Sequence, residues 1–68
     1  MNDDLKNKCA QALFAEVAHM LASQENCTEL EAKTSLITSG TFDAMFNFDT
    51  NLWRESPEYI LAYHRGLV

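Results

Sequence analysis

Five apolar residues recur at every fourth position in the first third of the chain, Leu5, Cys9, Leu13, Val17 and Leu21, with Phe14 and Met20 widening the stripe. At about 100° per residue this pattern belongs to a helix with one apolar flank, and Lys8, Gln11, Glu16, His19 and Ser23 fall on the other side. The spacing predicts a helix from Asp4 to about Gln24, with Asp3 and Asp4 at the positive end of its dipole. Ala10, Ala12, Ala15, Ala18 and Ala22 raise its propensity and let a neighbouring helix come close. Cys9, on the stripe, reads as a small buried hydrophobe. In a chain of 68 residues, so long a first element leaves room only for short ones around it.

Those short elements are also read as helices. Thr28 with Glu31 three positions later has the pattern of a capping box, so a second helix is expected to start there. Leu30, Leu36 and Ile37 are its expected apolar positions. Gly40 suits the left-handed residue that ends a helix. Thr41 is the expected cap of a third, short helix in which Phe42, Met45 and Phe46 share a face. Asp49-Thr50-Asn51 offers turn chemistry near its end. Ser56-Pro57-Glu58 combines an N-cap hydroxyl, a proline at the first helical position and an early acid, and so starts a last helix carrying Tyr59, Ile60, Tyr63, His64 and Leu67. Strand-like alternation is missing. The expectation is one all-α domain over residues 1–68, a small bundle of about four short helices.

Composition narrows the function classes. Ten acidic residues against five basic ones give a formal charge of −5, and Lys6, Lys8, Lys33, Arg54 and Arg65 are scattered along the chain, which argues against nucleic acid as a partner. No apolar run approaches the roughly 20 residues of a membrane span. The polar start Met1-Asn2-Asp3-Asp4 has no apolar signal region, so the expectation is a cytoplasmic protein with reduced thiols.

Chemistry-bearing motifs are sparse. Cys9 and Cys27 stand apart without a second cysteine near either, which is not zinc spacing. Glu16-Val17-Ala18-His19 is a single Glu-x-x-His, whereas di-iron bundles need two copies with further glutamates. Cys27 precedes a helix N-terminus, where a thiolate gains from the dipole, but nothing in the order of residues joins it to His19 or His64. Glu25, Glu29 and Glu31 read as a solvated helix start or as an acidic rim for a basic partner. No catalytic residue, metal site or cofactor is expected, and the chain is read as no enzyme.

The aromatic residues carry the positive reading. Six of the seven lie between Phe42 and Tyr63, and so many large rings exceed what a bundle this small can enclose. Trp, Tyr and Arg dominate binding energy at interfaces, and an exposed apolar patch usually marks one. Phe46, Trp53, Arg54, Tyr59 and Tyr63 are the expected partner-binding anchors, with a protein or a second copy of the chain as the partner. An alternative is a small-ligand-binding protein or minor enzyme with a pocket between the first and last helices, lined by His19 or His64, Tyr63 and Arg65.

Ser39-Gly40-Thr41-Phe42-Asp43, then Leu52-Trp53, then Glu58-Tyr59-Ile60, resemble a family of short bacterial proteins known as a domain of unknown function. Its members show a hydroxyl residue and glycine, an aromatic-Asp pair, a Leu-His pair and a closing Glu-Tyr-Ile or Glu-Tyr-Val; Trp53 stands at the place of that histidine. The resemblance implies an all-helical fold without established catalytic residues. Because such genes often lie near those of ADP-ribosyltransferase-like proteins, it also implies a partner-binding or toxin-neutralising role.

Overall fold

The computed structural model describes the backbone from Asn2 to Val68 and the side chains from Asp4 onward. Four α-helices follow one another: α1 (Asn2–Glu25), α2 (Glu29–Thr38), α3 (Thr41–Phe46) and α4 (Pro57–His64). Two 3-10 turns, Phe48–Thr50 and Leu52–Arg54, bridge α3 and α4. The described residues contain no strand, so the fold is all-α. At about 1.5 Å per residue, the 24 residues of α1 account for the longest dimension of the molecule, 37 Å against 22 and 19 Å. The first helix is therefore the spine, and α2, α3, α4 and the second 3-10 turn all pack along it.

Local chemistry sets the joints. After α1, Asn26 adopts a left-handed conformation (φ 56°) and the Cys27 N–H donates back to the Ala22 carbonyl at 3.0 Å, which closes the helix end. Thr28 and Glu31 form the expected capping box: the Glu31 N–H donates to Thr28 Oγ1 (3.1 Å) and the Thr28 N–H donates to Glu31 Oε1 (3.0 Å). Gly40, at φ 88°, ends α2 and serves as the N-cap of α3. Thr41 is not that cap. It is the first residue of α3, buried, and its hydroxyl is used elsewhere. Of the expected turn residues, Thr50 bonds locally, its Oγ1 accepting from the Leu52 N–H at 3.2 Å and donating to the Ala44 carbonyl at 2.7 Å, whereas the side-chain acceptor next to Asp49 is Asn47, whose Oδ1 accepts from the Asp49 N–H. Ser56 caps α4 by accepting from the Tyr59 N–H at 3.2 Å, with Pro57 at the first position.

The interior is aliphatic. Leu13, Val17, Ala18, Leu21 and Ala22 of α1 meet Ala32 and Leu36 of α2, Met45 of α3, Leu52, and Ile60 and Leu61 of α4 in one cluster. Two expectations fail here. Leu5 is 66% exposed and Cys9 is exposed, because residues spaced by four drift about 40° per step around a helix of 3.6 residues per turn; a stripe centred on Leu21 has left Cys9 and Leu5 on the far side. On α2, Leu36 is fully buried but Leu30 and Ile37 are 74% and 50% exposed. Those two point roughly 130° away from the Ala32–Leu36 flank, which is the one that α1 and α3 cover.

Candidate functional site

None of the seven aromatic rings belongs to the fully buried interior. They form two groups and a pair. Phe46, at the end of α3, stacks on Phe42 with centroids 4.4 Å apart, and Phe42 meets the edge of Phe14 at 5.0 Å. Phe14 and Phe46 also press on the aliphatic cluster, so this group is an outer wall of the core. Trp53 lies in the second 3-10 turn, edge-on to Phe48 at 6.4 Å. Two cations stand over its ring, the Lys6 ammonium at 5.7 Å from the centroid and the Arg54 guanidinium at 6.0 Å. Trp53 thus fastens the start of α1 to the second 3-10 turn. Its indole Nε1 is sealed from solvent and has no hydrogen-bond partner among the described residues.

Tyr59 and Tyr63 stand differently. Four positions apart on α4, they share one flank and are 40% and 39% exposed, while Ile60 and Leu61 on the opposite flank hold the helix to the core. Neither tyrosine ring pairs with another aromatic ring among the described residues. Of the five expected anchors, the structure brings Trp53 and Arg54 together, leaves Tyr59 and Tyr63 outermost, and seats Phe46 half-buried in the Phe14–Phe42 group.

The polar residues make four further arrangements. An open hollow of about 420 Å³ sits at the corner where α1 gives way to α2, lined by His19, Ala22, Ser23, Asn26, Cys27 and Glu29. His19 Nδ1 lies 3.3 Å from Glu29 Oε2 at its mouth. The expected pocket between the first and last helices is not this one: His19 faces the start of α2, and at the α1–α4 contact Arg65 instead donates to Gln24 Oε1 at 2.8 Å and stands 3.6 Å from Glu25. Although Glu29 lies beside His19, no three His, Cys, Asp or Glu side chains among the described residues are placed to hold an ion. The capping box also sets the charge of Glu31. The Thr28 N–H, and after it the Thr28 hydroxyl, hold its carboxyl below the ordinary carboxylate range.

The fourth arrangement was hidden in the sequence. His64, at the end of α4, gathers Ser35 from α2, Ser39 just after that helix and Thr41 from α3. Ser35 and Ser39, four apart, share a helical flank, which is the only local hint of it. The histidine that completes the cluster arrives from 25 residues further along the chain.

Comparison with protein-family models, with curated proteins and with solved structures found no match to this chain. Its functional reading therefore rests on the geometry above. No helix among the described residues is long and apolar enough to cross a membrane.

Proposed function

We propose that this chain is a non-enzymatic protein-interaction module that presents aromatic residues of its C-terminal half to a protein partner or to a second copy of itself. The observation that carries the reading is the placement of its rings. The fully buried interior is aliphatic and holds none of them, so all seven lie at its rim, where the aliphatic Leu5, Leu30 and Ile37 also face out. Tyr59 and Tyr63 are the outermost rings, on a helix whose other flank is anchored by two fully or nearly fully buried residues, Ile60 and Leu61. A rigidly held tyrosine loses little conformational entropy when a partner covers it, and its ring offers a large apolar area with a polar end. Arg54, exposed beside Trp53, adds a cation to the same half of the chain. Phe46 and Trp53, being half-buried, contribute rim contact and rigidity.

The resemblance in residues 39–60 suggests the partner's class: a bacterial, cytoplasmic protein of the ADP-ribosyltransferase type, held in check or regulated by binding. The reading is tested by sedimentation velocity of the pure chain across a wide concentration range, together with affinity capture from extract and identification of whatever is retained. A joint Tyr59→Ala and Tyr63→Ala substitution is expected to weaken association at least about tenfold, while Glu16→Ala leaves it unchanged. A chain that stays monomeric and retains nothing, or a tyrosine double variant that binds as the parent does, would sink the proposal.

A further inference from the structure

Three polar atoms meet in a triangle whose sides are each 3.0 Å: Ser39 Oγ to Thr41 Oγ1, Ser39 Oγ to His64 Nδ1, and Thr41 Oγ1 to His64 Nδ1. A fourth contact leaves the triangle, from Ser39 Oγ to the Leu36 carbonyl at 3.2 Å. Counting hydrogens decides how these contacts are made. Each hydroxyl brings one, and a carbonyl brings none, so all four contacts can be hydrogen bonds together only when Ser39 gives its hydrogen to the Leu36 carbonyl. Inside the triangle Ser39 Oγ can then only accept.

Two assignments remain for Thr41. If its hydrogen goes to His64 Nδ1, both of Ser39's contacts inside the triangle set lone pair against lone pair. If it goes to Ser39 Oγ, the Thr41–His64 side has a hydrogen only when Nδ1 carries one. With an N–H at Nδ1 every side is served: Thr41 donates to Ser39, and Nδ1–H donates to Thr41 Oγ1 and shares toward Ser39 Oγ. Water is no substitute at the inner corner, because Thr41 is only 2% exposed and a buried polar atom left unpaired is costly.

We infer that neutral His64 is held as the Nδ1–H tautomer, a donor clasp that ties the C-terminal end of α4 to the last turn of α2 and the first residue of α3. Nε2 then keeps its lone pair and faces Ser35 Oγ at 3.5 Å, a hydroxyl able to donate to it. The clasp needs a hydrogen-bond donor at one atom and does not need a charge. Since α4 carries Tyr59 and Tyr63, it fixes how those rings are offered, but the inference stands whether or not they bind a partner.

Long-range proton–nitrogen NMR spectra of the intact chain in mildly alkaline buffer, where an imidazole is neutral, read the tautomer directly. The expected pattern is a pyrrole-type Nδ1 and a pyridine-type Nε2 for His64; the reverse pattern, or the fast-averaged mixture of a free imidazole, overturns the inference. A second measurement uses shape. The amide nitrogen of asparagine falls near the place of Nδ1, whereas that of glutamine falls near Nε2. His64→Gln and His64→Ala are accordingly expected to melt about 4–8 °C below His64→Asn. A glutamine variant as stable as the asparagine one would contradict the clasp, and the spectrum of the parent chain decides the matter even if the variants fold poorly.

Discussion

Glu31 shows how much one exposed side chain can be made to do by its neighbours. Its carboxylate accepts from the Thr28 amide at 3.0 Å and lies 3.2 Å from the Thr28 hydroxyl, which also accepts from the Glu31 N–H, and the amide is the larger cause of a folded pKa below the ordinary 4.5. With the folded value depressed, the unfolded chain binds the proton more readily, so stability rises with pH across that window. The contribution is complete above the unfolded value and is lost as pH falls through the lower, folded one. Glutamine keeps an acceptor at this place and removes the titration. Between neutral pH and about pH 3, the urea midpoint of Glu31→Gln should therefore fall less steeply than that of the parent chain. Parallel curves for the two proteins would mean that the capping box does not contribute to acid sensitivity. The box could be read from four residues of sequence because both partners lie inside one helical turn. His64 could not, because its partners come from two other helices and only the folded chain brings their hydroxyls within 3.0 Å.

At the scale of elements, the joint between α2 and α3 depends on one residue. Gly40 is left-handed at φ 88°, and a Cβ placed there would meet no atom within 4 Å. Replacement by alanine thus isolates the backbone penalty from any clash. Gly40→Ala is expected to lower unfolding free energy by about 1 kcal/mol, and Gly40→Asn by less, since asparagine tolerates this conformation better. Equilibrium urea unfolding measures both, and a neutral alanine would show that the joint relaxes out of the left-handed region. Helix existence, the capping box, this glycine and the Ser56-Pro57 start were legible because each is a local preference. The buried flanks were less so. Leu30 and Ile37 are as apolar as Leu36, and only the positions of α1 and α3 decide that Leu36 is covered while the other two face out. Cys9 and Leu5 failed for a related reason, since a spacing of four walks around the helix and away from its core flank.

For the whole molecule, the excess of rings over interior was legible from length and composition, but the sorting that resulted was not. Phe14, Phe42 and Phe46 wall the core, Trp53 clamps the start of α1, and the two tyrosines face out. Behind them lies one aliphatic cluster to which all four helices contribute. That arrangement predicts a single cooperative transition. At about 0.05–0.15 kcal/mol per residue, a chain this short has a total stability of only a few kcal/mol up to roughly ten, and removing most of a fully buried isoleucine costs about 2–5 kcal/mol. Ile60→Ala should therefore remove a large share of the total, whereas Tyr59→Ala, on the outward flank of the same helix, should cost clearly less. The two probes available report from different ends of the structure: Trp53 fluorescence senses the clamp between α1 and the second 3-10 turn, and far-ultraviolet circular dichroism senses all the helices together. In urea they should trace the same curve for the parent chain and for both variants. A fluorescence transition that precedes the loss of helix would show that the clamp releases on its own, and the aromatic rim would then be a separate, weaker layer around the aliphatic core.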